Sequence, residues 1–322
     1  MSKMKIVVTG GAGLIGSWVV DYLLKEFSND LDQIVILDNF VRGTKDNLKD
    51  ALKSDKIKLV RGDIRDIKTV NEIIKGANFV VHEAAIRITQ CAEDPRLCNE
   101  VLVDGTFNIF EACVNHGVKK LVFNSSASVY GQPLKLPMKE TDTYNNDTAY
   151  GAAKIANEQM AKAFRRMYGL NYIALRPFNV YGPRMDIYGV YTEVLIKWLD
   201  RIDQGLSPVI FGDGSNTLDF IYVEDIARAT ICALKSDLNQ GVYNVGSGKQ
   251  VSLKQLAYAL LKVSSSKLEP TFEPDKSKAN YATKRQAYIL NAKNDLGFVA
   301  KTSLEYGLKK LIDWRKETKS KK

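Results

Sequence analysis

Short apolar runs at residues 6–9, 34–37, 57–60, 79–82, 121–124 and 172–175 punctuate the first half of the chain, each rich in β-branched or aromatic residues and bounded by polar residues or glycine. Continuous runs of that length are what strands buried on both faces of a parallel sheet require. Between them, residues 16–25, 69–75, 106–115 and 149–168 carry apolar positions at helical spacing. Regular alternation of strand and helix predicts an α/β fold built on a doubly wound parallel sheet. After Arg176 the rhythm changes to loops rich in Gly, Pro and Tyr over 177–191, a helix-like 193–203, and 208–214 leading into 220–234. The predicted organisation is a first domain at 1–178 onto which 208–235 folds back, a smaller C-terminal lobe made of 179–207 and 236–315, and a tail at 316–322. Two lobes imply a cleft between them.

Composition supports that division. The 322 residues are 45% hydrophobic and 26% charged, which suits a soluble globular chain of roughly two domains at about 150 residues each. The opening apolar stretch is broken by Gly10, Gly11, Gly13 and Gly16 and closes on Asp21, so it reads as neither a signal peptide nor a membrane span. A cytoplasmic protein is expected, with Cys91, Cys98, Cys113 and Cys232 reduced and none of them in a C-x-x-C pair. With His82 and His116 the only histidines, no metal site is expected. The formal net charge is +9, yet residues 249–322 hold 17 Lys/Arg against 7 Asp/Glu while the remainder holds 29 against 30. Much of the excess is the tail Arg315, Lys316, Lys319, Lys321 and Lys322, read as a solvated end. Neither interleaved aromatics nor a recognisable module accompanies it, so a nucleic-acid partner is not expected, nor a membrane.

Two constellations carry chemistry. The first strand runs into Gly10-Gly11-Ala12-Gly13-Leu14-Ile15-Gly16 and directly into a helix-like segment. Such a turn lets backbone approach a pyrophosphate whose charge sits at the helix N-terminus. The second strand ends in Asp38, placed to accept hydrogen bonds from an adenosine ribose diol and to repel a 2′-phosphate, so NAD is favoured over NADP. Arg42 nearby tempers that preference. The first domain thus reads as a Rossmann domain. The second constellation is Ser126, Tyr150 and Lys154, with Tyr150 and Lys154 four apart on one helix face. A lysine ammonium beside a phenol favours the phenolate and lowers its pKa towards that of a working general base. Ser126, just past the strand at 121–124, is placed to hold the same substrate hydroxyl.

On these motifs the chain resembles the extended short-chain dehydrogenase/reductases, and within them the NAD-dependent nucleotide-sugar epimerases and dehydratases. The resemblance runs through residues 10–16, Asp38-Asn39, Gly62-Asp63, His82-Glu83-Ala84-Ala85, 125–131, 150–154, 176–184, 211–214, 222–225 and Leu296-Gly297-Phe298. It implies NAD as cofactor, with Gly10, Gly13, Leu14, Ile15 and Gly16 at the pyrophosphate and Asp38 and Asn39 at the adenosine ribose. Asp63 and Ile64 would meet adenine, Ala84, Ala85 and Ile86 would line the cofactor, Tyr150 would contact it, and Lys154 would bind the nicotinamide ribose. Phe178, Asn179 and Val180 would lie between cofactor and sugar nucleotide. The substrate would be held by Ser126, Tyr150, Asn179 and the cations Arg87, Arg184 and Arg285.

The implied reaction is epimerisation of a nucleotide-activated sugar, a UDP-hexose or derivative, at C4 through a transient 4-keto intermediate. The alternatives are a nucleotide-sugar oxidoreductase, dehydratase or decarboxylase on the same scaffold and, in another class, an NAD-sensing binding protein. Members that eliminate water carry an Asp-Glu pair just after the position of Ser126, but here Ala127 and Ser128 stand there, which disfavours dehydration. Leu218, Leu102 and Tyr288 also replace family-typical polar residues. Met160, Phe164, Met167 and Tyr168 exceed what one cleft face can use, so a homodimer is expected, and the resemblance implies pairing through the helices at 149–168 and 106–115.

Overall fold

The computed structural model of the chain describes residues 4–187, 193–274 and 283–320. The end of the expected loop at 177–191, the segment 275–282 of the second lobe, and Lys321 and Lys322 lie outside the described residues. Strands β1 (Met4–Thr9), β2 (Leu31–Asp38), β3 (Ile57–Arg61), β4 (Phe79–His82), β5 (Lys120–Asn124) and β6 (Tyr172–Pro177) sit where the apolar runs place them. They join one seven-stranded sheet in the order Gln240–Val245, β6, β5, β4, β1, β2, β3, and every adjacent pair is parallel. Chain order reverses between β1 and β4, which opens a crevice at their carboxyl ends.

The sheet is apolar on both faces because both are covered. On one face Ile6, Val8, Ile34 and Ile36 pack with Val19, Val20 and Leu23 of the helix Leu14–Glu26 and with Ile226 and Ala229 of Val223–Lys235. On the other, Val7, Val35 and Leu37 pack with Ile109 and Phe110 of Gly105–Asn115 and with Ala161 and Phe164 of Ala149–Tyr168. A separate core around Ile196, Trp198, Leu256, Leu260, Leu308 and Leu311 defines the smaller lobe. No helix among the described residues is long and apolar enough to cross a membrane.

The structure redraws the expected boundaries in three places. Gln240–Val245, assigned from sequence to the smaller lobe, pairs with β6 as the outermost strand of the main sheet, and Ala292, Leu296 and Phe298 pack on the first core. Conversely, Val209–Phe211 pairs with Thr271–Glu273 and Ile210 joins the second core, so only the later part of 208–235 folds back. Both follow from pairing partners far away in sequence. Thirdly, the described part of the tail is ordered up to Lys319. The helix Leu304–Lys319 runs through it, Arg315 is buried against Asp200 and Asp203, and Lys319 joins the same two carboxylates. Residues 88–104, unassigned from sequence, form Ile88–Glu93, Pro95–Asn99 and a π-helical turn Glu100–Asp104.

Candidate active site

At the carboxyl ends of the parallel strands lies a cleft of about 1180 Å³ shared by both lobes. Each residue named from sequence for cofactor or substrate lines it except Lys154, which lies beneath Tyr150. At one end, β1 turns sharply. Gly10 has φ +68° and its missing Cβ would sit 2.6 Å from the Ala84 nitrogen, while a Cβ on Gly16 would sit 2.2 Å from the Gly10 carbonyl oxygen. The turn therefore tolerates no side chain at Gly10 or Gly16, and the helix Leu14–Glu26 begins directly after Gly13. Such a cradle fits a dinucleotide pyrophosphate.

Asp38, nearly buried at the end of β2, accepts from the Ala12 and Phe40 backbone N–H groups at 2.9 Å each, which aims its carboxylate along the cleft edge. Asn39 donates to Asp63 at 3.0 Å, tying the ends of β2 and β3. Burial works to raise the Asp63 carboxyl, but hydrogen bonds from Arg65 and Asn39 hold it down at about 2. Ile64 is buried beside it. Arg42 shares the cleft with Arg87, Asp186 and Glu193, where desolvation and the Arg87 charge pull it down to about 10 while the two carboxylates pull the other way.

The Tyr150 helix, Ala149–Tyr168, starts where the Thr148 side chain accepts the Gly151 N–H at 3.1 Å. Tyr150 packs against Cys91, Cys98, Leu102 and Ala153, so Leu102 serves as part of the wall behind the phenol. The cysteines are free thiols. Ser126 lines the same cleft as Tyr150 and acts to lower its phenol, and the Ser126 Oγ accepts from Ser128 N at 3.0 Å. One turn on, Lys154 is buried, with Nζ 5.7 Å from the Tyr150 ring centroid and donating to the Asn124 carbonyl at 2.7 Å. The sequence reading has Lys154 lowering the phenol. Within the protein alone burial wins, pushing Tyr150 up to about 12 against the pull of Ser126 and Arg285. Burial also pulls Lys154 down to about 8, with the Glu83 charge working against that.

The three arginines are placed differently. Arg285 is held on the opposite wall by its backbone N–H to the Thr217 carbonyl at 2.8 Å, and its charge is felt at Tyr150. Arg87 lies 3.9 Å from Glu193 with Nη1 buried and without a hydrogen bond. Arg184, in contrast, stacks 4.3 Å over Trp18 and bonds Asp21 at 2.6 Å. It is engaged with the first helix, and its buried Nη1 has no hydrogen-bond partner among the described residues. Asn179 is fixed through the Asp219 carbonyl at 3.1 Å, Phe178 is buried near Tyr130, and Val180 packs on the first core. Leu218 gives the cleft an apolar wall opposite Tyr150's lobe. Tyr288 lies under Lys139, 5.1 Å from the ring centroid to Nζ.

His82, at the end of β4, is buried between Thr9 and Thr106 at 2.6 and 3.0 Å, and His116 ends the helix Gly105–Asn115. Sequence reading left Glu83 without a place in the site and gave Arg42 one only beside the adenosine ribose. A charged residue immediately after the apolar run at 79–82 was the available signal for Glu83.

Fold and cleft together define an α/β protein with a dinucleotide groove and a tyrosine–lysine–serine centre. Residues 6–246 match the family model described as "NAD dependent epimerase/dehydratase family". A putative UDP-glucose 4-epimerase of Methanocaldococcus jannaschii is 35% identical over 97% of this chain and 98% of its own. The structure is similar to that of the UDP-N-acetylglucosamine 4-epimerase from Methanobrevibacter ruminantium in complex with UDP-N-acetylmuramic acid, with TM-score 0.91, 33% identity and coverage of 99% and 100% of the two chains. It is also similar to the Bacillus cereus UDP-glucuronic acid 4-epimerase with UDP-glucuronic acid and NAD, with TM-score 0.88, 27% identity and coverage of 98% and 100%. The chain belongs to the NAD dependent epimerase/dehydratase family, and NAD is its cofactor.

Proposed function

We propose that the protein is a 4-epimerase of a nucleotide-activated sugar, a UDP-hexose or a derivative, working through a transient 4-keto sugar. The observation that carries this reading is the meeting of Ser126 and Tyr150 in one cleft with buried Lys154 beside the Tyr150 ring, where Ala127 and Ser128 supply no carboxylate for removing water. Gly10, Gly13, Leu14, Ile15 and Gly16 receive the pyrophosphate, Asp38 and Asn39 the adenosine ribose, Asp63 and Ile64 the adenine, and Ala84, Ala85 and Ile86 the floor between. Bound there, NAD supplies a reversible hydride acceptor and a positive charge. Tyr150 takes the proton of the C4 hydroxyl as that carbon is oxidised and returns it after the keto sugar presents its other face. Ser126 orients the hydroxyl, and Lys154 supplies the fixed charge that offsets burial of the phenolate. Asn179, with Phe178 and Val180, separates the two ligands. Incubation with UDP-, dTDP- and GDP-sugars, read by proton NMR, tests the reading: C4 epimers are expected, and a net oxidised, dehydrated or decarboxylated product, or none from any sugar, overturns it.

The cations set substrate affinity. Arg285 is assigned to the diphosphate and Arg87 to the sugar side of the cleft, while Arg184, tied to Asp21, has one nitrogen to offer. Losing one charge-assisted bond of about 1.5–3 kcal/mol weakens binding by about ten- to a hundredfold. Arg285→Ala should therefore raise KM by that factor for every sugar accepted. Arg87→Ala should raise it more for a uronate than for its neutral hexose if the guanidinium meets a C6 carboxylate. An unchanged KM removes Arg285 from the site.

The working form is a cytoplasmic homodimer. Met160 and Phe164 are used by the protein's own core, but Met167, Tyr168 and Phe107 remain 66%, 55% and 38% exposed on adjoining helices, with Phe164 edge-on to both aromatic rings. Light scattering at micromolar concentration should give twice the chain mass, and Tyr168→Asp should give one chain mass. A monomer before substitution rejects the dimer.

A further inference from the structure

Glu83 lines the cleft and is bonded to Asn124, two polar side chains that the mechanism above does not use. Glu83 directly follows β4 and Asn124 ends β5. Asn124 Nδ2 donates to Glu83 Oε2, and the Asn124 carbonyl accepts Lys154 Nζ. Glu83 Oε1 and Asn124 Oδ1 are buried and have no hydrogen-bond partner. Two buried acceptors without donors are costly, and Glu83 lines the cleft. Glu83 Oε1 is thus an acceptor at the cleft surface, suited to a ligand group that donates hydrogen bonds.

The sheet order indicates which part of a ligand arrives there. The glycine turn follows β1, Asp38 ends the neighbour on one side, and Glu83 follows the neighbour on the other. Strands are about 4.8 Å apart, so a dinucleotide whose pyrophosphate rests on the β1 turn sends one ribose towards β2 and the other towards β4 and β5. Each ribose carries a diol that donates to carboxylates. Asp38 serves the first.

We propose that Glu83, aligned by Asn124, is a cofactor-binding residue that accepts a hydroxyl hydrogen bond from the second ribose of NAD, the one distal to adenine. This rests on the reading that NAD fills the cleft, but it needs no sugar substrate. Burial pushes the Glu83 carboxyl up to about 8, while the Lys154 charge and the Asn124 hydrogen bond favour the carboxylate form that accepts such a bond.

The test compares NAD, ADP-ribose and ADP by calorimetry on the whole protein and on Glu83→Gln, which keeps the side-chain volume but replaces one acceptor with a donor. NAD and ADP-ribose should bind the variant about ten- to a hundredfold more weakly, and ADP, which lacks the second ribose, should bind within about twofold of the parent value. Retained ADP binding also shows that the variant is folded. Equal losses for all three ligands, loss of ADP binding altogether, or unchanged affinity for NAD and ADP-ribose would each overturn the assignment. An absence of epimerase activity with intact discrimination between ADP-ribose and ADP would strike at the proposed reaction and leave the Glu83 assignment standing.

Discussion

Tyr150→Phe is expected to lower turnover by about 10²–10⁴-fold, the range for loss of one general acid–base group, while NAD remains bound. The substitution removes one oxygen and leaves the ring packed against Cys91, Cys98 and Leu102, so the effect isolates proton transfer from folding. Tyr150 is the titratable group that the arrangement of Ser126, Lys154 and Arg285 converges on. Without its oxygen, nothing at that point of the cleft takes the proton from a sugar hydroxyl. Turnover measured with the epimer pair, together with cofactor content after desalting, checks both halves. Near-normal turnover would sink the mechanism. Lys154→Ala should differ by losing both turnover and cofactor, since its Nζ also holds the Asn124 carbonyl on the cleft floor.

The second large effect concerns stability. Arg176, wholly buried at the end of β6, clasps Glu158 through Nε to Oε1 at 2.9 Å and Nη2 to Oε2 at 2.6 Å. Its remaining donors reach Tyr130 at 2.6 Å, the Glu140 carbonyl at 3.2 Å and Tyr144 at 3.3 Å. Glu158 lies two turns beyond Tyr150 on the same helix and also accepts from Ser125, the neighbour of Ser126. The pair therefore registers the Tyr150 helix against both β5 and β6. Arg176→Ala leaves a carboxylate buried and uncompensated, and should reduce the free energy of unfolding by about 3–5 kcal/mol. Replacing both partners together by Met should recover most of that loss, because an apolar pair of similar volume leaves no unpaired charge. Urea denaturation of the single and double variants separates the two cases. A loss below about 1 kcal/mol in the single variant would show that the pair is not what holds these elements together.

Much of the first lobe was determined by sequence alone. Its six inner and flanking strands are runs of β-branched and aromatic residues because both faces of the sheet are covered, and the glycine turn, Asp38 and the Tyr150–Lys154 spacing are local patterns that need no distant partner to be read. What depended on distant partners was invisible there. Gln240–Val245 looks like any short segment until β6 offers it an edge. Arg315 looks like part of a charged tail until Asp200 and Asp203 close over it. Arg184 looks like a free cation until Asp21 and Trp18, more than 160 positions away, engage it. The phenol of Tyr150 is a further case. Spacing alone says a lysine is near enough to lower it, but only the tertiary structure shows the desolvation that raises it to about 12. Local spacing sets which groups meet; the burial and distant charges that set their protonation come from parts of the chain that only folding brings together.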